Sequence, residues 1–347
     1  MTAAPESGPA PGSGRAQPVL VVEDLNVTFA TPDGPVHAVR GVDFTVDEEE
    51  VMGIVGESGS GKSVTMMAVM GLLPRTVQVT GSVRYRGQEI LGLPEAELRK
   101  FRGAKMAMVF QDPLTSLNPV FPVGDQIAEA IRAHQPTVGR KDARVKAEAL
   151  LELVGIPSAA RRTRTYPHEL SGGMRQRAMI AMSIANNPDV LIADEPTTAL
   201  DVTIQAQVLE VLERAQAAAR SAIVLITHDL GVVAGMADRV MVMYAGRAVE
   251  VGTVEDVLLR SRHPYTLGLL DSVPRLDAEG PQRLTPITGA PPSVLHPPAG
   301  CPFHPRCRFV RARCDDLVPE LRQVGGPSQR SACHYAGDLD ALGASTG

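Results

Sequence analysis

Tryptophan is absent from this chain, and phenylalanine and tyrosine number only seven and five. With aromatics at 3% of residues, a base-stacking platform for single-stranded nucleic acid is not expected. An excess of positive charge is also missing: Lys plus Arg total 34 against 39 for Asp plus Glu, a net charge of −5. Nucleic-acid binding through bulk charge is therefore excluded as the main activity. No apolar run approaches the roughly 20 residues needed to cross a bilayer, since the longest covers only residues 64–73. The N-terminus holds Pro, Gly, Ser and Ala but no apolar segment, so no signal peptide is read there and a cytoplasmic location is expected. Cysteine is scarce. There are four, all between Cys301 and Cys333.

What is present suits a packed protein. The chain has 347 residues, 44% of them hydrophobic and 21% charged, enough for one large domain or two of ordinary size. Residues 1–17 read as a disordered tail, because small residues and prolines bury too little surface to offset ordering entropy. Residues 19–29 and 36–46 carry β-branched residues in partial alternation around the turn Thr31-Pro32-Asp33-Gly34, an antiparallel pair. Residues 51–55 form a short apolar strand that runs into a glycine loop and then a helical pattern over 63–73. A second apolar run, 105–110, leads into a mostly helical segment over 112–187, in which 142–154 repeats apolar residues at helical spacing. Within it, the prolines between Asp112 and Gln126 predict a shaped loop rather than a helix. Strands at 190–193 and 222–227, with a helix at 203–219 between them, imply a parallel sheet covered on both faces. Residues 239–244 and 247–251 read as a closing hairpin. After about residue 258 the composition shifts, with ten prolines from Pro264 to Pro305. A boundary is placed there, giving a main domain over 18–258, a small Cys/Pro-rich domain over 259–336 and a tail over 337–347.

Two sites carry chemistry. Gly56-Glu57-Ser58-Gly59-Ser60-Gly61-Lys62-Ser63 fits the pattern G-x-x-x-x-G-K-[ST] between a strand and a helix. Glycines let backbone N–H groups close around phosphate oxygens, and the helix N-terminus adds positive potential. Lys62 is placed to reach the outer phosphates and Ser63 to ligate Mg²⁺. Farther on, the buried strand Val190-Leu191-Ile192-Ala193 ends in Asp194 and Glu195. Asp194 suits the Mg²⁺ shell, and Glu195 suits a base that orients and polarises water. Either site alone has a bland reading, as a Gly-Ser turn or as two solvated acids. Together they predict a Mg²⁺-dependent nucleoside triphosphatase.

Leu170-Ser171-Gly172-Gly173-Met174-Arg175-Gln176-Arg177 resembles the signature motif of ABC ATPases. Met174 stands where Gln is frequent, a variant similar to that of peptide importers. An ordinary helix cap would explain Ser171 but not the set. Gln111 resembles the Q-loop glutamine, Ala199-Leu200-Asp201 the D-loop, and His228 the switch histidine. Phe29 resembles the aromatic that stacks on adenine, and is equally a core strand residue. Where related chains carry Gly-Glu ahead of the phosphate-loop strand, this one has Asp47-Glu48-Glu49-Glu50. The resemblance over 18–258 implies an α/β fold with a RecA-like parallel core, an antiparallel β subdomain and a helical subdomain at 112–187. It also implies an ATPase working as a two-chain sandwich, with Ser171, Gly172, Gly173 and Asp201 serving the partner's ATP.

Ser261-Arg262-His263-Pro264-Tyr265-Thr266, Leu269-Leu270-Asp271-Ser272-Val273-Pro274 and Gly300-Cys301-Pro302-Phe303-His304-Pro305-Arg306-Cys307 are similar to the tail of oligopeptide/dipeptide importer ATPases. That resemblance implies two membrane-spanning permease subunits as partners, a second and often different ATPase chain, and an extracytoplasmic substrate-binding protein. A soluble ABC ATPase of translation or DNA repair is the rival. Translation types usually carry two nucleotide domains, and repair types a long coiled coil. This chain has one copy of each motif and no sustained heptads between Lys62 and Ser171. The four cysteines, Cys301, Cys307, Cys314 and Cys333, are spaced x5, x6 and x18. Disulfides are disfavoured in a reducing compartment, and no tight C-x₂₋₄-C pair of the common zinc pattern occurs. Four thiolates in a loop-rich segment suit a [4Fe–4S] cluster, and the importer resemblance points the same way. Zinc, with His304 or His334 replacing a cysteine, and four unligated thiols remain the alternatives.

Overall fold

The computed structural model describes residues 18–198, 200–272, 286–293 and 295–339. The expected tail at 1–17, Ala199, Val273-Pro274 and residues 340–347 lie outside the described residues. Among those described, two sheets form the frame. Strands β1 (Leu20–Thr31), β2 (Gly34–Val46), β4 (Gln78–Tyr85) and β5 (Gln88–Glu89) make an antiparallel sheet in the order β2-β1-β4-β5. The second sheet contains β3 (Val51–Val55), β6 (Met106–Val109), β7 (Val190–Asp194), β8 (Ala222–Thr227), β9 (Arg239–Tyr244), β10 (Arg247–Thr253), β11 (Arg322–Gln323) and β12 (Arg330–Ser331). Its order is β11-β12-β10-β9-β3-β8-β7-β6, parallel from β9 to β6 and antiparallel beyond β9.

The central strands β3, β7 and β8 are buried along their whole length. They are therefore continuous apolar runs rather than alternating ones, as a parallel sheet covered on both faces requires. In β1 and β2 the alternation is imperfect because the ladder is interrupted by register shifts between Val22 and Leu25 and again near Val27. Helices Val123–His134, Arg140–Leu153 and Gly172–Ser183 pack around the second core, which includes Ile127, Ile131, Leu151 and Ile180. No described helix is long and apolar enough to cross a membrane.

One local expectation is corrected. The stretch after Gln111 is not all loop, since Pro113–Ser116 is a helical turn and Val123–His134 follows Pro122. Both prolines sit at helix starts, where a missing N–H costs nothing, so they shape the segment without excluding helix. The acidic run makes a turn: Glu49 takes a left-handed φ of 59°, and Asp47 N–H donates to Glu50 Oε2 at 2.7 Å. Glu50 is 9% exposed and pairs with Arg239 at 3.0 Å, so one acid of the run is an internal tie rather than surface charge.

The described residues beyond 258 pack against the glycine loop and the sheet beside it. Strands β11 and β12 extend it through pairing of β12 with β10. Tyr265 and Phe303 join Val55, Val240, Val242 and Tyr244 in a shared core. The aromatic rings lie close, with centroids 4.5 Å apart for Tyr244–Tyr265 and 5.3 Å for Tyr244–Phe303.

Candidate nucleotide site

Strand β3 delivers the chain at Gly56, and the helix Lys62–Val69 leaves from Gly61. A side chain at Gly56 would put its Cβ 2.3 Å from the Met243 carbonyl oxygen, and one at Gly61 would meet the Ala38 oxygen at 2.7 Å. Gly56 and Gly61 also have φ of +154° and +102°, so both positions demand glycine on two counts, space and conformation. The loop is thus pressed against β9 and β2. Gly246 N–H donates to the Ser60 carbonyl at 3.0 Å and fixes the loop to the β9–β10 turn.

One open cavity of about 570 Å³ is lined by residues 56–64 together with Gln111, Glu195 and His228. The separate motifs therefore meet at one place. Lys62 Nζ donates to the Gly56 and Glu57 carbonyls at 2.7 and 2.9 Å, leaving one of its three N–H donors over. Burial lowers the Lys62 pKa, against the pull of Glu195, Asp194 and Glu57. Ser63 Oγ donates to Asp194 Oδ1 at 2.8 Å, and burial raises the Asp194 carboxyl. Hydroxyl and carboxylate oxygens side by side are the ligand set that a hard divalent cation takes. Ser60 Oγ is buried with no hydrogen-bond partner, an orphaned donor in a loop built for phosphate oxygens.

Glu195 stands just past the end of β7 in a left-handed conformation, φ 46°. Its Oε2 accepts from Thr198 Oγ at 2.8 Å and from Gln111 Nε2 at 3.1 Å, and lies 3.6 Å from His228 Nδ1. A non-glycine residue held there is strained, and strain of this kind clusters at functional sites. Thr198 belongs to none of the motifs read from the sequence. Its place three residues after the acid, on the turn where Thr198 N–H donates to the Glu195 carbonyl, is the only local signal it carries. Leu269, from the helix Pro264–Asp271, also lines the cavity, although it lies in the proline-rich part of the chain.

Other predicted residues do not line this cavity. Ser171 caps the helix Gly172–Ser183 by accepting from Met174 N–H at 3.3 Å, with Gly172 in its first turn. A Cβ on Gly173 would approach Ile204 Cγ2 to 2.8 Å, so that glycine sets the packing of two helices. Asp201 caps the next helix through Ile204 N–H at 3.0 Å. Phe29 is partly buried in β1 against the first core.

The four cysteines line one small cavity with His263, Phe303, His304 and His334, of only about 20 Å³. Burial raises the thiol pKa of Cys301, takes Cys307 to about 12 and takes Cys333 to about 11. Among the described residues, however, no group of three or more His, Cys, Asp or Glu side chains is arranged to hold a metal ion. The expected metal site is therefore present only as converging thiols, and the zinc alternative finds no formed ligand set.

Comparison with known proteins agrees with this geometry. The family model for ABC transporters matches residues 39–198, and that for the C-terminal region of oligopeptide/dipeptide transporters matches 249–314. The oligopeptide transport ATP-binding protein OppD of Salmonella typhimurium is 50% identical over 318 residues, 92% of this chain and 94% of the relative. The dipeptide transport ATP-binding protein DppD of Bacillus subtilis is 52% identical over 87% of this chain and 90% of its own. OppD of Mycobacterium tuberculosis is 57% identical over 91% of this chain, which spans about half, 52%, of that relative. Among solved structures, the ATP-binding cassette MJ0796, as a dimer in a post-hydrolysis state bound to ADP and Pi, superposes with TM-score 0.61 at 25% identity. It covers 68% of this chain and 98% of that one. CbiO1 of Clostridium perfringens gives 0.59 at 28%, over 70% and 92%.

Proposed function

The chain belongs to the family of ABC transporter ATP-binding proteins of the oligopeptide/dipeptide type, and we propose that it hydrolyses ATP to drive import of peptides through a membrane transporter. The single observation that carries the reading is the meeting of the phosphate loop, Gln111, Glu195 and His228 around one cavity, with Ser63 and Asp194 joined beneath it. The loop amides and Lys62 bind the phosphates of ATP. Ser63, Asp194 and Gln111 would hold the Mg²⁺ that accompanies the nucleotide, which would supply neutralisation of phosphate charge. Glu195 accepts a proton from the attacking water and orients it. His228, whose Nδ1 lies 3.6 Å from that carboxylate, bonds the γ-phosphate and steadies the base in this reading.

Ser171, Gly172, Gly173 and Asp201 lie at helix starts away from the loop's own cavity. This supports a sandwich in which those N–H groups and hydroxyls close on ATP held by a second ATPase chain, with Phe29 against the adenine. Around the Q-loop, Val120 is 68% and Phe121 54% exposed, and Phe110 and Tyr166 are also open. Large apolar side chains left open beside this loop are of the kind a partner surface covers. They support docking of two permease subunits there, on the cytoplasmic face of the membrane, with a substrate-binding protein delivering peptide from the other side.

The four cysteines support a [4Fe–4S] cluster in the small C-terminal domain. The Cys307 and Cys333 thiols, raised by burial, stay protonated unless a cation compensates their charge, and all four cysteines line one cavity. Protein purified without oxygen is expected to be brown and to hold about four irons per chain. A colourless preparation with stoichiometric zinc would refute this. The function itself is tested by reconstituting the chain with its permease in vesicles. Peptide uptake that requires ATP on the side of this chain is expected, and ATP-independent uptake would refute it.

A further inference from the structure

We propose that Arg306 and Tyr265 are positioning residues for the phosphate loop, through which the state of the four-cysteine site sets nucleotide affinity. The proposal rests on the reading above that this loop binds ATP.

Glu57 is the second residue of the loop, and the tail holds it at two points. Its backbone N–H donates to Tyr265 Oη at 2.8 Å. Its carboxylate accepts both arms of Arg306, at 2.6 and 2.9 Å. Arg306 is almost sealed, its side chain 5% exposed against 26% for Glu57. The guanidinium is fixed from other sides as well. Nε donates to the Thr288 carbonyl at 3.1 Å, and one terminal nitrogen reaches Tyr244 Oη at 3.3 Å. A two-pronged, shielded pair of this kind is directional and strong.

The electrostatic consequence is specific. A carboxylate in the second position of a phosphate loop faces incoming negative charge. Arg306 neutralises it and turns it toward the tail. Without Arg306, Glu57 repels phosphate and the loop loses its outer anchor together.

The lever is short. Arg306 ends the turn His304–Arg306, between Cys301 and Cys307. His304 N–H donates to the Cys301 carbonyl at 3.0 Å, Arg306 N–H to Phe303 at 3.0 Å and Cys307 N–H to His304 at 3.2 Å. Phe303, 3% exposed, wedges the turn among Tyr244 and Tyr265. No flexible segment therefore separates the thiols from Glu57. Cys333 reaches the same cavity from beyond β12. A change that moves the thiols moves Arg306.

The experiment measures the MgATP dissociation constant and amide hydrogen exchange over residues 56–63, in full-length chain purified without oxygen. Wild type should bind MgATP; if it does not, the functional reading fails and the proposal falls with it. Arg306→Met should weaken binding about tenfold and speed exchange in the loop. Arg306→Lys, which keeps charge but loses the fork, should fall between. Adding Glu57→Gln to Arg306→Met should recover most of the affinity, because the uncompensated charge is gone. Cys333→Ser leaves the 301–307 turn unaltered, yet should weaken binding several-fold in wild type and hardly at all beside Arg306→Met. Wild-type affinity and loop exchange in both Arg306 variants would overturn the positioning role. Equal losses from Cys333→Ser in both backgrounds would overturn its link to the thiols.

Discussion

Replacing Glu195 by Gln separates binding from hydrolysis, and the structure sets the size of each effect. The amide is nearly isosteric, so the left-handed backbone at φ 46° is untouched. Thr198 Oγ at 2.8 Å and Gln111 Nε2 at 3.1 Å keep an oxygen to donate to, at the cost of a charge-assisted bond becoming a neutral one. That change costs on the order of 1 kcal/mol. None of the loop's contacts depends on the Glu195 side chain: Lys62 rests on Gly56 and Glu57, and Ser63 on Asp194. ATP affinity should therefore stay within about threefold of wild type, or tighten as negative charge leaves the cavity. Losing the base costs far more. General-base catalysis contributes typically ~10²–10⁴ in rate, or about 3–5 kcal/mol. Phosphate release by the assembled transporter and nucleotide binding, measured on one preparation, check both halves. A variant that turns over within threefold of wild type would refute the role given to Glu195. A variant that no longer binds ATP would refute the separation of the two functions.

Three further outcomes follow from particular contacts. Lys62→Ala should weaken MgATP binding by about 10–100-fold, the worth of one charged hydrogen bond to phosphate, as read by titration with a fluorescent nucleotide. Ser171→Arg in one chain of a mixed assembly should abolish turnover at the site formed by its partner's phosphate loop, while the lost helix cap costs the mutated chain only ~1 kcal/mol; loss confined to its own loop would exclude the sandwich. Glu250 is fully buried, receives Ser261 Oγ at 3.0 Å and Gln329 Nε2 at 3.2 Å, and burial raises its pKa to about 7 from 4.5. The folded state thus holds a proton that the unfolded state releases. Its stabilisation is complete below about pH 4.5 and is lost as pH rises to about 7, by up to about 3 kcal/mol. Thermal unfolding between pH 5.5 and 8.5 should fall more steeply for wild type than for Glu250→Gln, and parallel curves would contradict this.

The nucleotide cavity was legible because its chemistry is written in contiguous residues. A strand ending in glycines and Lys62, a strand ending in Asp194 and Glu195, and a strand ending before His228 each declare a terminus. Parallel strands of one sheet bring their ends to one side, so motifs far apart in sequence had to meet. The apolar runs of β3, β7 and β8 likewise required burial on both faces. The local sequence at 112–126 was less decisive, since proline forbids a helix interior but permits a helix start.

What the sequence determined by itself was the set of strand-bound motifs and the side of the sheet on which they gather. The tertiary structure alone decided how the tail bears on them. Tyr265 lies 208 positions from Glu57 and Arg306 lies 249, and neither falls in a motif that names a partner. Their contacts arise from packing of an aromatic core and from strands β11 and β12 joining the main sheet. Glu50 with Arg239, Thr198 with Glu195 and Glu250 with Gln329 are of the same kind. A periodic pattern reports which face of an element is buried. It carries no information about which distant side chain will stand opposite, because that depends on how whole layers settle against one another.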